Sequence, residues 1–225
     1  MSCLVKICGI TNPDDAAMVS EAGADYLGVL VNVHQSPRSV TPETARTVCT
    51  ASTVPVIVLT FDYPLDQVLS LIAFLRPAGI QLAGNETVDY VLKLRNEAPC
   101  EIWKSLHIPA VDTPKMTTMP LQESIDHYSR SGVDKIVLDS VALKKSKVLQ
   151  GGTGQTFDWT EVKKIKQGAL PFLFLAGGIN PRNVTDALVQ VDPDGVDLSS
   201  GVEKSPGKKD RKLVKELMYL IRKKR

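Results

Sequence analysis

The sequence predicts an α/β protein, a single (β/α)8 TIM barrel that occupies residues 1–225 as one domain. Short apolar strand segments alternate eight times with segments of helical pattern, at a period of roughly 25 residues. Such strands pair in parallel through right-handed crossover helices. A chain of this length suits one closed barrel. An open doubly wound sheet is the alternative, although the first βα turn lacks the GxGxxG pattern of a dinucleotide fold.

Each predicted strand is a short apolar run bounded by polar residues, glycine or proline. The strands cover residues 3–9, 25–31, 55–60, 79–83, 101–107, 135–138, 171–176 and 195–198. The helices cover residues 12–21, 65–76, 86–97, 121–131, 159–167, 181–191 and 210–225, and one more begins at Thr41. Asn12 or Asp14 caps the first helix and Gly23 ends it. Pro42 suits the first turn of the second helix, where its missing N–H costs nothing.

Composition excludes several classes of partner and cofactor. Apolar residues make up 43% of the chain, charged residues make up 23% and the net charge is +2. The basic excess lies largely in residues 208–209 and 223–225, so no nucleic-acid surface is indicated. Four cysteines show neither CxxC spacing nor a metal pattern, which favours cytosolic thiols. We see no signal peptide and no apolar run of membrane-spanning length, so we expect a cytoplasmic protein with no membrane partner.

Two reactive side chains end predicted strands. Active-site groups of such barrels lie at the carboxyl ends of the strands. Strand alternation turns Lys6, Cys8 and Asp139 into the barrel, with Cys8 and Asp139 the last inward residues of the first and sixth strands. These strands lie three apart in a ring of eight, so the two side chains could face each other across a small molecule. The alternatives are a buried apolar role for Cys8 and a cap or turn role for Asp139.

An inward lysine needs a partner, and Asp197 on the neighbouring eighth strand is the best candidate for Lys6. A cation near Cys8 would lower the pKa of the thiol and favour the thiolate, which is the useful base. We therefore expect Lys6 and Asp197 to support the site.

Glycine-rich loops follow the last strands and indicate a phosphate site. Gly177 and Gly178 follow the seventh strand, and Ser200 and Gly201 follow the eighth. Backbone N–H groups in such loops bind phosphate, and this is its usual place in a barrel. A third glycine loop, which contains Gly154, could approach a ligand closely. The alternatives are tight turns and a flexible surface loop.

Arg38 lies in the long loop after the second strand, where Pro37 stiffens its approach. A guanidinium there could hold a substrate carboxylate through two parallel hydrogen bonds. The alternative is a solvated loop charge. The three histidines form no readable ligand set, although His107 ends the fifth strand and could line the mouth.

Together these residues resemble the phosphoribosylanthranilate isomerase family, nearly from end to end. The most specific segments are residues 5–11, 36–38, 137–140, 151–159, 177–184 and 196–210. The resemblance implies an Amadori rearrangement of an aminoaldose phosphate to an aminoketose in tryptophan biosynthesis. Asp139 would be the general acid that opens the ribose ring, and Cys8 the general base at C2′.

The resemblance also implies that Arg38 holds the anthranilate carboxylate, that the loops at Gly178 and Ser200–Gly201 hold the phosphate, and that neither metal nor organic cofactor is needed. We expect a monomer or a homodimer whose partner is a phosphorylated small molecule.

Several positions depart from the family pattern. Ala83 stands where members commonly carry histidine, Val29 replaces an aromatic residue, and Thr60 lies in an altered third strand. We expect these changes in the half of the barrel that receives the anthranilate ring. Two other functions therefore stay open: a related isomerase with another sugar phosphate as substrate, and a catalytically silent phosphometabolite-binding barrel.

Overall fold

The computed structural model of the protein describes residues 3–109, 119–144, 147–150, 156–165 and 172–223, without the side chains of residues 141–150, 161 and 164. Eight parallel strands form the barrel: β1 (Leu4–Ile7), β2 (Tyr26–Val31), β3 (Val56–Thr60), β4 (Gly79–Leu82), β5 (Glu101–Pro109), β6 (Lys135–Lys144), β7 (Phe172–Leu175) and β8 (Gly195–Leu198). Each strand pairs with the next in chain order, and β1 pairs with both β2 and β8, which closes the ring. The predicted (β/α)8 barrel is confirmed.

Helices connect the strands on the outside of the barrel. They are α1 (Pro13–Glu21), α2 (Pro42–Ala51), α3 (Leu65–Leu75), α4 (Val88–Glu97), α5 (Leu121–Arg130), α6 (Trp159–Ile165), α7 (Val184–Val191) and α8 (Arg211–Lys223). The Asn12 side chain accepts from the Asp15 backbone N–H at the start of α1, and Thr41 caps α2 in the same way. The predicted limits Gln167, Pro171 and Arg225 lie outside the described residues.

The sixth strand differs from its predicted extent. It was expected to end at Leu138, but β6 continues to Lys144 and pairs antiparallel with residues 147–150. No glycine or proline interrupts residues 139–144, so nothing in the sequence stops the strand there. Three more short strands were not predicted: Ser39–Val40 beside β2, and the pair Glu203–Ser205 with Lys208–Lys209.

Aromatic rings fill the interior of the barrel. The Trp103 ring lies 5.1 Å from the Tyr26 ring and 4.7 Å from the Phe174 ring, centroid to centroid. Gly195 makes this possible, because a Cβ there would lie 2.4 Å from the Phe174 ring. Lys135 closes the group, with Nζ 5.0 Å from the Trp103 centroid and 2.6 Å from Glu101 Oε1.

The two faces of each strand follow the predicted alternation. Val5, Ile7, Ile136 and Leu138 pack into the large apolar cluster between strands and helices. Leu4 and Val137 instead belong to the smaller inner cluster around Trp103. The inward orientation expected for the alternate residues of β1 and β6 is confirmed.

Replacing Trp103 by alanine should lower the free energy of unfolding by about 3–5 kcal/mol, because it empties the centre of the inner cluster. Urea unfolding would measure this. The control is Tyr219→Ala on α8, where the side chain is 61% exposed and the change should stay within about 0.5 kcal/mol. A Trp103→Ala loss as small as the control's would contradict this account of the core.

Candidate active site

Cys8 follows β1 at the carboxyl end of the barrel and is buried. Its backbone N–H donates to Leu198 O of β8 over 2.7 Å. Gly28 of β2 leaves room for the sulfur, because a Cβ at that position would lie 2.7 Å from Cys8 Sγ. Sequence reasoning gave Gly28 no role, although a glycine inside a strand is a known sign of close approach.

Lys6 and Asp197 form the predicted ion pair. Lys6 Nζ lies 2.7 Å from Asp197 Oδ2, and the two residues are direct partners in the β1–β8 register. Burial alone would lower the pKa of Lys6, but Asp197 and Cys8 raise it above its ordinary value. The ammonium therefore stays charged beneath Cys8.

The net effect on Cys8 corrects the sequence-based expectation. Burial raises the pKa of Cys8, and Asp197 raises it further. Lys6 and Lys209 lower the pKa, as expected for nearby cations, but they do not outweigh burial. Without substrate the residue is therefore held as a thiol, and the thiolate is a minor form.

Asp139 lies within β6 and is half-buried, in register with His107 of β5. Burial first, and then the negative charge of Asp197, raise the pKa of Asp139 to about 7. The Ser140 backbone N–H donates to Asp139 Oδ1 over 2.8 Å and opposes this shift. A carboxyl group with a pKa near 7 can give up a proton at neutral pH, as a general acid must.

The strand order places β8 and β7 between β1 and β6, so Cys8 and Asp139 rise from strands three apart, as expected. Both residues continue the inward face of their strands. The structure thus brings a thiol and a carboxyl group to one barrel mouth.

The glycine loops after β7 and β8 contact each other. Gly177 and Gly178 have φ of 78° and 68°, which favours glycine at both positions. A Cβ at Gly201 would collide with Ile179 O, so the two loops pack together only because residue 201 has no side chain. Ser200 begins a short 3-10 helix in the same place. Gly154 lies outside the described residues.

Arg38 is 9% exposed, so it is not the solvated loop charge of the alternative interpretation. Its Nε and Nη2 atoms donate to Glu203 Oε1 and Oε2 over 2.9 and 2.7 Å. Glu203 also accepts from Lys209 Nζ over 2.7 Å. Sequence reasoning noted the segment that carries Glu203 and Lys209 but assigned neither a role.

Only one of the departures from the family pattern lies at the mouth. Val29 packs in the outer cluster with the helices, and alternation with Val58 puts Thr60 on the same side. The expectation that these two residues alter the ligand pocket is wrong, because their side chains point away from the barrel axis. Ala83 follows the inward residue Gln81, and its carbonyl O lies 2.8 Å from His107 Nε2.

The described residues offer no metal centre and no membrane span. Among them, no three His, Cys, Asp or Glu side chains cluster closely enough to hold a metal ion. Within the same ranges, no helix combines the length and apolar character needed to cross a bilayer.

Comparison with known proteins gives one consistent result. Residues 5–219 match the family model described as N-(5'-phosphoribosyl)anthranilate (PRA) isomerase. A protein of Acaryochloris marina named N-(5'-phosphoribosyl)anthranilate isomerase is 36% identical over 96% of this chain and 97% of its own length.

Solved structures agree with the sequence match. One, of dimeric phosphoribosylanthranilate isomerase from Thermotoga maritima in a monomeric form, superposes with a TM-score of 0.79 at 28% identity and covers 98% of this chain and 99% of that one. Another is phosphoribosyl anthranilate isomerase in complex with reduced 1-(o-carboxyphenylamino)-1-deoxyribulose 5-phosphate, with a TM-score of 0.79 at 27% identity and the same coverage. The chain therefore belongs to the N-(5'-phosphoribosyl)anthranilate isomerase family.

Proposed function

We propose that this protein isomerises N-(5'-phosphoribosyl)anthranilate to 1-(2-carboxyphenylamino)-1-deoxyribulose 5-phosphate in tryptophan biosynthesis. The observation that carries the proposal is the pair of proton-transfer groups, Cys8 and Asp139, at one barrel mouth in a chain of this family. The working unit is one catalytic domain over residues 1–225. It acts in the cytoplasm as a monomer or homodimer.

The two groups perform opposite proton transfers. Asp139 gives its proton to the ribose ring oxygen, the C1′–oxygen bond breaks, and a protonated Schiff base forms. The Cys8 thiolate then removes the proton from C2′, and the electron pair neutralises the Schiff base as an enolamine. Tautomerisation of the enolamine gives the ketone. Neither metal nor organic cofactor takes part, and each positioned group contributes about 10²–10⁴-fold in rate.

The remaining site residues bind and orient the substrate. Arg38 holds the anthranilate carboxylate. Backbone N–H groups around Gly177, Gly178, Ser200 and Gly201 hold the phosphate. Lys6 and Asp197 act through their charges. The Lys6 charge favours the Cys8 thiolate, and the Asp197 charge favours the protonated form of Asp139.

A second function has one specific observation in its favour. Ala83 stands where the family commonly carries histidine, and its carbonyl O lies 2.8 Å from His107 Nε2, in register with Asp139. A related isomerase with another aminoaldose phosphate as substrate would need such a change at the mouth. A silent binding barrel is disfavoured, because it would not need both Cys8 and Asp139.

The direct test is loss of phosphoribosylanthranilate fluorescence with the wild type, Cys8→Ala and Asp139→Asn. We expect turnover by the wild type and a loss of about 10²–10⁴-fold in kcat for each variant. Calorimetry with inorganic phosphate and circular dichroism serve as controls, and both should be unchanged. Turnover that survives either substitution would refute the assigned roles. A folded wild type without turnover would favour the related isomerase.

The pH profile follows from the two pKa directions. The active form needs Asp139 protonated and Cys8 ionised, yet Asp139 has a pKa of about 7 and Cys8 a pKa above its ordinary value. Below pH 7 both groups hold protons, so kcat/KM should fall about tenfold per pH unit as thiolate is lost. Above pH 7 the loss of acid offsets the gain of thiolate and gives a plateau, which ends where Cys8 titrates. Steady-state kinetics from pH 5 to 10 would show this, and a maximum below about pH 6 would contradict it.

A further inference from the structure

Glu203 is a buried carboxylate for which the proton-transfer steps have no use. Its side chain is 4% exposed and lies between two cations, Arg38 and Lys209. These cations lower the pKa of Glu203 against the effect of burial, so it is ionised. Two positive charges around one negative charge leave the cluster with an excess of +1, which suits an anionic ligand group.

The contact geometry decides which edge of Arg38 remains for a ligand. Glu203 Oε1 and Oε2 occupy the side-on edge formed by Nε and Nη2. A guanidinium has five N–H groups, so two on Nη1 and one on Nη2 are left. Within the described part of the chain, Nη1 makes no hydrogen bond. The end-on edge, Nη1 with Nη2, is thus the bidentate site still open to a second carboxylate.

The stem of Arg38 passes over the end of β1. A Cβ at Gly9 would lie 2.6 Å from Arg38 Cδ and 2.7 Å from Ser199 Oγ, and Gly9 has a φ of 74°. Gly9 directly follows Cys8. The Arg38 side chain is therefore packed against the residue that follows the proposed base.

Lys209 ties Glu203 to the same place. Its Nζ donates to Cys8 O over 2.6 Å and to Glu203 Oε1 over 2.7 Å, and it lies 3.3 Å from Ser199 O. The Lys209 side chain is fully buried. One ammonium thus connects the backbone of the base, the loop after β8 and the carboxylate that holds Arg38.

We propose that Glu203 is a positioning residue that fixes Arg38 side-on and presents its end-on edge to the substrate carboxylate, with Lys209 setting its distance from Cys8. This inference rests on the proposed function, because it takes the carboxylate of the anthranilate moiety as the group that Arg38 binds. It assigns substrate recognition to a residue that need not touch the substrate.

The test compares ligands with and without the carboxylate. Glu203→Gln keeps the side-chain shape but removes the charge, so one nitrogen of the amide would face the donors of Arg38. With phosphoribosylanthranilate we expect KM to rise about 10- to 100-fold, the worth of a charge-assisted hydrogen bond, while kcat changes little. With phosphoribosylaniline, which lacks the carboxylate, kcat/KM should stay within about threefold of the wild type.

Four further variants make the outcome decisive. Arg38→Met should show the same selectivity, and Glu203→Gln added to Arg38→Met should cost nothing more with the anthranilate substrate. Glu203→Asp keeps the charge, so its KM for phosphoribosylanthranilate should rise less than that of Glu203→Gln. The Asp variant also keeps the inference testable if the Gln variant does not fold. Glu101→Gln, at the ion pair with Lys135 in the barrel floor, is the matched control and should leave both substrates unaffected.

Calorimetry with reduced product analogues, with and without the carboxylate, gives the same comparison without turnover. Failure of the wild type to turn over phosphoribosylanthranilate would refute the proposed function alone, while the ratio of the two dissociation constants would still report on Glu203. Equal losses with both ligands in Glu203→Gln would overturn the inference. So would weaker binding of inorganic phosphate by Arg38→Met, since Arg38 would then serve the phosphate.

Discussion

The pairing of β1 with β8 is the constraint on which the rest of the structure depends. It closes the ring, and it sets Lys6 directly beside Asp197 in register. A lysine with no exposed surface is tolerable only when its charge is matched, so the register of this one strand pair is fixed by electrostatics as well as by hydrogen bonds. Cys8 continues the same strand, and its backbone N–H donates to Leu198 O across the pair.

The polar residues at this end of the β1–β8 strand pair form two connected groups. Lys6, Asp197, Cys8 and Asp139 are coupled by charge, since Asp197 raises the pKa of both Cys8 and Asp139 while Lys6 lowers it. Arg38, Glu203 and Lys209 are coupled by hydrogen bonds and join the first group at the carbonyl of Cys8. The residues proposed for proton transfer and those proposed for ligand recognition are therefore held by one connected set of contacts, which is what precise positioning requires.

The sequence was enough to predict those parts of this arrangement that follow from the alternation of residues along a strand and from the order of the strands. Alternation along β1 and β6 was enough to turn Lys6, Cys8 and Asp139 inward, and strand order was enough to pair Lys6 with Asp197. These inferences need only a strand direction and a closed ring. Glycine-rich sequence after the last two strands likewise indicated two loops that do meet in space.

The parts that sequence reasoning missed depend on where loops travel. Nothing in the pattern around Arg38 shows that its guanidinium crosses β1 to reach Glu203, which is 165 residues away in the chain. The net shift in the pKa of Cys8 could not be predicted from the sequence either, because the depth of burial of a side chain depends on the tertiary structure. Val29 was misplaced for a simpler reason: its neighbour Gly28, not Val29, occupies the inward position.

The order of synthesis gives the β1–β8 pair a further meaning. Lys6 leaves the ribosome 191 residues ahead of Asp197. Until then a lysine that the finished barrel buries has no counter-ion, and the edge of β1 that β8 will cover stays open. Contacts of such long sequence separation form slowly, because the intervening chain must first be ordered. Cys8 is thus synthesised long before Asp197, which helps to complete its surroundings, so a nascent chain carries the thiol without its buried environment.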